Sequence, residues 1–520
     1  MSHSVDDSFN SNNVEVFDFK KLLNNQENKN KMSGSEIDDL FNPKPKIVVE
    51  DNQMVLQSGK IITFNDQQYE GLNKIRKWLK EKDKPFYTLA GFAGTGKSTI
   101  IKKILDNYRG GVVVSAPTHK AVKVIRVITK KEGKTLHSLL GLRVDVSLDS
   151  FNPNQPAFAP IAPPKITEYN LCVLDECSMV NSELLDLIKE KIKGSNTKVL
   201  FVGDDAQIPP VGQKISKIFI DADIEVHKLT KVERQTDSNP LMFIYDNMRN
   251  NLDSSDGGFL RKTNINGIGE GVIFTVDKRY FRESVLKMFL SMDYAKNSDY
   301  VKGLAWKNDT VMQANMIVRE ALIGKNKDIV EKNDVLMGYR SISNERQTYN
   351  IIENSADYKV IEKSELVEND YGISGFNIKI IEDLGNDKFK TENVFIVDVN
   401  SRENLHIYAQ THDSLRNLAF ENKKMWNKYY TFRRNNLLMK NIEQNVNGRY
   451  RNSEDIIVKD LDYGYFITTH KSQGSTYQHV MIMDVDINEN QNIIERNQIR
   501  YVAMSRPAIS AHVLSNRIDL

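Results

Sequence analysis

The sequence predicts an α/β fold built on parallel sheets, and three observations carry that expectation. A glycine-rich stretch, Gly91 to Thr99, lies between a strand-like run ending at Ala90 and a helix-like run with Ile100, Ile101, Ile104 and Leu105 on one face. A continuous apolar run, Leu171 to Leu174, ends in two acids, Asp175 and Glu176, as a strand buried on both faces would. A second such run, Val199 to Val202, ends in Gly203-Asp204-Asp205-Ala206-Gln207. Strands that alternate with helices and end in polar turns fit a doubly wound sheet with its ligand at the strands' carboxyl ends.

The glycine-rich stretch has the spacing of a phosphate cradle: Gly91, then Ala93, Gly94, Thr95 and Gly96 before Lys97 and Ser98. Its glycines let backbone N–H groups and a helix N-terminus point at an anion. Lys97 is then placed to reach the β- and γ-phosphates, with Thr99 opening the helix. The Ser98 hydroxyl and the Asp175 carboxylate are placed to ligate Mg²⁺, and Glu176 to deprotonate an attacking water. Paired acids at the end of a buried strand are costly without a cation nearby. The pattern therefore predicts hydrolysis of a nucleoside triphosphate, with Mg²⁺ as cofactor.

At 520 residues the chain is expected to hold about two to four domains. Lys and Arg number 71 against 69 Asp and Glu, so bulk charge does not announce a polyanion partner. The only cysteines are Cys172 and Cys177, too few for a disulfide framework or a metal cluster. No apolar run is long enough to span a bilayer, and no signal peptide opens the chain. The expectation is a soluble protein of a reducing, cytoplasmic compartment (the host's, if the source is a virus).

Residues 1–60 are rich in Asn, Ser, Asp, Gln and Lys, with small apolar islands at Val14–Phe19 and Ile37–Phe41. They are expected to form a flexible tail whose islands could dock on partners. Order is expected from Ile61, with Asn65 or Asp66 capping an amphipathic helix and Gln68 offering its amide to an adenine edge. A β-branched run then ends in Ala116-Pro117-Thr118-His119, and Thr135 and His137 follow. Such residues at strand and helix ends suit phosphate oxygens rather than base edges. Residues 141–169 alternate toward a turn at Asn152–Gln155 and return through Phe158, which predicts a protruding hairpin.

These blocks, in this order, resemble the superfamily 1 helicases of the 5′-to-3′ branch, the group of the RecD-like and Dda-type enzymes. The matching residues are Gln68, Gly91 to Ser98, Ala116 to His119, Thr135 and His137, Asp175 and Glu176, and Gly203, Asp204, Gln207 and Pro210. Glu233-Arg234, Gly303 to Asn308, Ile467 to Ser475 and Tyr501 to Arg506 complete the set. The resemblance implies two RecA-like domains, at 61–250 and at 251–330 with 462–520. It also implies an SH3-like β-barrel insertion with a helical arm at 331–461.

By the same resemblance Arg234 and Arg506 would act as charge-stabilising fingers, Gln207 would report the γ-phosphate, and Gly474 would touch the nucleotide. Asn308, Thr469, His470, Lys471 and Gln473 would contact a DNA strand, with Pro210 on its first-domain side. The hairpin would be a pin that splits duplexes, with Phe158 or Phe151 as its wedge. Trp426, Tyr429, Tyr430, Phe432, Arg433 and Arg434 could stack bases, brace the hairpin or simply pack a small helical arm. The expected activity is ATP-driven 5′-to-3′ movement on single-stranded DNA with unwinding of duplexes, in replication, recombination or repair, of phage type. Expected partners are single-stranded DNA and duplex junctions, with single-stranded-DNA-binding protein or other replisome components on the tail; the chain is expected to act as a monomer. Two alternatives stay open: an RNA-directed helicase, and a DNA-binding scaffold whose ATPase is only a switch.

Overall fold

The computed structural model describes residues 50–55, 59–144, 158–160, 162–210, 212–231, 239–346, 349–385, 388–443 and 456–519. The chain divides into two compact units, 1–64 and 65–520. In the first, Gln53–Val55 pairs antiparallel with Ile61–Thr63, with Met54 opposite Ile62. The expected tail to residue 60 is thus cut short: a hairpin begins at Gln53, because Met54-Val55 and Ile61-Ile62 are β-prone runs that pair locally.

The second unit begins with a six-stranded, wholly parallel sheet. Its order is Glu225–Leu229, Phe86–Gly91, Lys198–Gly203, Leu171–Leu174, Val112–Ala116 and Glu132–Thr135. Its inner strands are buried along their length, as their apolar runs require. The glycine-rich loop leaves the strand Phe86–Gly91, whose neighbour Lys198–Gly203 separates it from Leu171–Leu174. Phosphate loop, Asp175 and Asp204 therefore share the carboxyl edge. The helices are started by side chains: Asn65 for Asp66–Trp78, Thr118 for His119–Thr129 and Asn181 for Ser182–Ile192.

A second six-stranded sheet follows, ordered Asn264–Ile265, Gly271–Thr275, Pro507–Leu514, Tyr477–Met483, Val301–Ala305 and Phe466–Thr468. Only its edge strand Asn264–Ile265 is antiparallel. The helix Leu241–Arg249, expected in the first domain, also packs into this sheet's core. Leu241, Ile244, Tyr245 and Met248 cluster there with Val480, Tyr501 and Val502. Its apolar face finds partners on the helix Ile493–Ser505, and the same cluster takes in Ala206 and Ile208 of the first domain, so this helix bridges the two domains.

Between Val335 and Tyr463 lies a third, antiparallel sheet. Its strands run Val367–Glu368, Ser374–Gly385, Asp357–Lys363, Val335–Gly338 and Leu461–Tyr463, with Lys388–Val397 also paired to Ser374–Gly385. No ladder among the described residues joins its outer strands. The helices Arg402–Glu421 and Trp426–Asn435 pack beside it. Trp426, Tyr429 and Phe432 are buried in apolar clusters and Arg433 is bonded to Asp460 at 2.9 Å. Of the readings open for this segment, the structure selects core packing. No helix among the described residues is long and apolar enough to cross a membrane.

The three sheets meet at a largely buried charge. Asp357, on the antiparallel sheet, accepts from Lys120 of the first domain at 2.9 Å and from Lys302 of the second at 3.3 Å. Lys120 also donates to the Tyr477 hydroxyl at 2.8 Å, and Lys302 to the Gly464 carbonyl at 2.7 Å. Burial alone would raise the Asp357 carboxyl, but the two ammonium groups overcome it and hold it down to about 2. A depressed carboxylate adds stability above its unfolded pKa of about 3.9, and that stability is lost as pH falls through 2. Asp357→Asn leaves two buried cations short of their counter-charge and is expected to cost about 3–5 kcal/mol at pH 7. Thermal melting of both proteins should show the gap closing below about pH 3; a gap constant with pH would contradict the assignment.

Candidate nucleotide site in the cleft between the parallel sheets

The phosphate loop is shaped by two left-handed glycines, Gly94 (φ 82°) and Gly96 (φ 85°). Gly96 starts the helix Lys97–Asn107 with no side-chain cap, which leaves the first-turn amides to a ligand. A Cβ on Gly96 would lie 2.4 Å from Gln68 Nε2. Gln68, expected to offer its amide to an adenine edge, bonds to the protein through both amide atoms. Its oxygen accepts the Asn65 N–H at 3.0 Å and its nitrogen donates to the Thr95 carbonyl at 3.0 Å. Gln68 thus closes a capping box and braces the loop, because the helix start lies directly against it. Thr95 Oγ1 donates to the Phe92 carbonyl at 2.9 Å. Lys97 Nζ donates to the carbonyls of Gly91 (2.6 Å) and Phe92 (2.9 Å), at the mouth of the loop. Ser98 and Thr99 are half-buried on the same first turn.

Asp175 and Glu176 follow the strand Leu171–Leu174 as the notion of a buried acidic edge requires. Asp175 Oδ1 accepts the Glu176 N–H at 2.9 Å. Glu176 adopts φ 52°, a left-handed conformation uncommon for a side-chain-bearing residue and frequent at functional sites. Its Oε2 is buried without a hydrogen-bond partner. Burial raises both carboxyls; Glu176 pushes Asp175 further up, whereas Arg506 and then Lys97 pull Glu176 back. Two desolvated acids, one with an oxygen that no hydrogen bond occupies, and a serine hydroxyl on the first turn after the phosphate loop supply the hard oxygen donors that Mg²⁺ takes. Ser98 and Asp175 are the residues that fit it.

The second domain completes this edge. Arg506, 4% exposed, is held by the Val502 carbonyl (3.1 Å), Ser505 Oγ (2.7 Å) and the Ser475 carbonyl (3.1 Å), and its charge acts on Glu176. Gly474 (φ 74°) packs so closely that a Cβ would meet Ala121 Cβ at 2.7 Å and Glu176 Cγ at 3.5 Å. Gln473 Nε2 donates to the Ile208 carbonyl at 3.3 Å. Asp204 is fully buried and accepts from Ala93 N–H in the phosphate loop at 3.0 Å and from the Tyr501 hydroxyl at 2.8 Å. Gln207, one turn on, has a buried Oε1 without a partner.

Of the residues expected along a DNA strand, His119 and Lys471 both bond to the insertion, at Glu353 and Asn354. His119 pairs with Glu353 of the antiparallel sheet's domain at 2.6 Å, and burial, then the charge of His119, lowers the His137 pKa. Thr118 and Thr135 cap helices, accepting from Ala121 N–H (3.2 Å) and Ser138 N–H (3.4 Å). Pro117 and Pro210 are half-buried and Asn308 is exposed at the start of the helix Asn308–Ile323. Lys471 donates to Asn354 Oδ1 at 2.9 Å and lies 4.2 Å from the Tyr339 ring centroid; burial, helped by Lys459, lowers its pKa to about 8. His470 is half-buried, and burial lowers its pKa. Thr469 departs from expectation: it is fully buried and its hydroxyl donates to the Ala305 carbonyl at 3.2 Å, which leaves it no side-chain contact to offer.

Glu233, Arg234 and Phe151 lie outside the described residues. Phe158 stands on the strand Phe158–Pro160, paired with Leu142–Val144 at the base of the expected hairpin, but its side chain is outside what is described. Sequence reasoning assigned no role to Tyr501, Lys120, Asp357 or Lys302. A tyrosine five residues before Arg506 was the one available signal, since a buried tyrosine hydroxyl needs a partner.

A phosphate loop, two acids at the end of the next strand but one in the same sheet and an arginine delivered by the second domain define a two-domain P-loop nucleoside triphosphatase. A family model described as an AAA domain matches residues 63–253, and one described as a UvrD-like helicase C-terminal domain matches 463–514. An uncharacterised protein of Acanthamoeba polyphaga mimivirus is 26% identical over 500 residues, covering 85% of this chain and 98% of its own. The ATP-dependent DNA helicase Dda of Enterobacteria phage T4 is 26% identical over 402 residues, covering 71% and 86%. The ATP-dependent RecD2 DNA helicase of Deinococcus radiodurans is 34% identical over 158 residues, 30% of this chain and 20% of that one. In sequence the chain is thus similar to superfamily 1 DNA helicases over most of its length.

Because burial raises Asp175, its ionised form strains the fold, and removing that charge relieves it. Asp175→Asn is expected to melt no earlier than the wild type without ligand. It should also lose the additional thermal shift that Mg²⁺ gives over ADP alone. An unchanged Mg²⁺ shift in the variant would remove Asp175 from the metal site.

Proposed function

We propose that this chain is an ATP- and Mg²⁺-dependent DNA helicase that moves 5′ to 3′ along single-stranded DNA and separates duplexes ahead of it. The observation that carries the reading is the cleft itself: Lys97 and Glu176 belong to one parallel sheet, while Arg506, whose charge acts on Glu176, belongs to the other. A bound Mg²⁺ would neutralise charge on the β- and γ-phosphoryl oxygens. The first-turn amides of Lys97–Asn107 and Lys97 itself bind the phosphates, and Ser98 and Asp175 hold the metal. Glu176 takes the proton of the attacking water, and Arg506 stabilises charge on the transferred group. Gln207 and Gln473, flanking the cleft, couple nucleotide state to the domains' separation, so closure and opening step the domains along a strand.

The strand runs over both parallel-sheet domains, past His119, His137, Asn308, His470 and Lys471, gripped through phosphates and therefore salt-sensitive. The antiparallel sheet takes the place of the family's SH3-like domain, and the hairpin rooted at Leu142–Val144 and Phe158–Pro160 acts as the pin. Strand separation is the test, with one short duplex carrying a single-stranded tail on either its 5′ or its 3′ side and Lys97→Ala as the inactive control. Unwinding of the 5′-tailed substrate alone is expected. A 3′ preference refutes the polarity; binding without unwinding of either substrate refutes the motor.

A further inference from the structure

The hydroxyl of Tyr501 is bonded across the cleft, into the domain to which its helix does not belong. It donates at 2.8 Å to Asp204 Oδ2, the oxygen that also takes the Ala93 N–H of the phosphate loop at 3.0 Å. Asp204 Oδ1 is occupied by the Ala206 N–H at 3.0 Å. One fully buried carboxylate therefore ties three parts together: the loop, the turn that leads to Gln207, and the helix Ile493–Ser505. A buried carboxylate is costly with any bond unmet, so the second domain's seat is worth most where the hydroxyl meets it.

The same helix carries Arg506, and carries it rigidly. The guanidinium is bonded to the Val502 carbonyl and to Ser505 Oγ, one and four residues beyond Tyr501. A displacement of the helix relative to the loop moves Arg506 with it, and a shift on the order of 1 Å at a reacting centre costs about a hundredfold in rate. The Tyr501 ring is 1% exposed and packs among Leu241, Tyr245 and Val502, so the hydroxyl is not needed to fill the core.

We propose that Tyr501 is a positioning residue for ATP hydrolysis: through Asp204 its hydroxyl sets the helix that bears Arg506 against the phosphate loop. The loop's shape and the arrival of the arginine are then one event, made by a single shared oxygen. This rests on the ATPase reading above.

The test is Tyr501→Phe in the full chain, with ATP hydrolysis measured at saturating single-stranded DNA alongside thermal melting. The kcat is expected to fall by about tenfold or more, the loss of one hydrogen bond to a charged acceptor. The KM for ATP should stay within about twofold and the melting temperature within a few degrees, since the variant keeps the packed ring. Single-turnover release of labelled phosphate then compares Arg506→Lys with and without Tyr501→Phe. Because the hydroxyl acts through Arg506, the second substitution should cost far less there than in the wild type. A wild-type kcat in Tyr501→Phe, or an equal loss in both backgrounds, overturns the inference while leaving the ATPase reading intact. A lowered melting temperature with unchanged kcat marks a packing role and overturns it too. A wild type that hydrolyses no ATP at all refutes the reading itself and the inference with it.

Discussion

The candidate site depends on carboxylates that a second domain helps to balance. Asp204 is satisfied jointly by the phosphate loop and by Tyr501, and Glu176 feels Arg506 across the cleft. An ionised carboxylate away from water is tolerated only when its bonds and counter-charges are supplied. The first parallel sheet holds its acids in place but does not satisfy them alone. That shortfall gives the second domain a reason to approach, and makes its approach consequential for whatever occupies the loop.

The same economy of charge holds the third sheet. Asp357 is fastened to Lys120 and Lys302, one from each parallel-sheet domain, so the inserted sheet reads the position of both. Lys120 directly follows His119, which is itself paired to Glu353 of that insertion. The helix His119–Thr129, which leaves the strand Val112–Ala116, is thus clamped at its N-terminal end by the insertion. Movement of the first domain relative to the others must break or carry these pairs. Few-kilocalorie contacts of this kind suit a machine that opens and closes, because a large apolar interface would not release.

Much of this was legible beforehand, and the reasons differ by element. The phosphate loop and the acidic strand were readable because glycine spacing, strand burial and paired acids are local features, and the parallel sheet follows from the alternation of strands with helices. The brace that Gln68 makes was missed because its spacing could not show that Thr95 and Asn65 would meet its amide. Thr469 was misread for the same reason, its hydroxyl being taken by Ala305. The packing of the helix Leu241–Arg249 against the second sheet was not legible because amphipathicity tells that a face is buried, not against what. Tyr501, Lys120, Asp357 and Lys302 went unassigned because their partners lie 55 to 357 residues away in the chain, beyond any local pattern.

The central claim is that the catalytic edge is complete only when the two parallel-sheet domains meet. Its most direct test is the distance across the cleft during turnover, read by energy transfer between dyes at Arg109→Cys and Arg279→Cys. Both positions are exposed, and the native Cys172 and Cys177 are buried. With single-stranded DNA and ATP, the account predicts two transfer levels that exchange at the rate of hydrolysis, with the closed level populated by a transition-state analogue of ATP. A single unchanging level while ATP is being hydrolysed would contradict it.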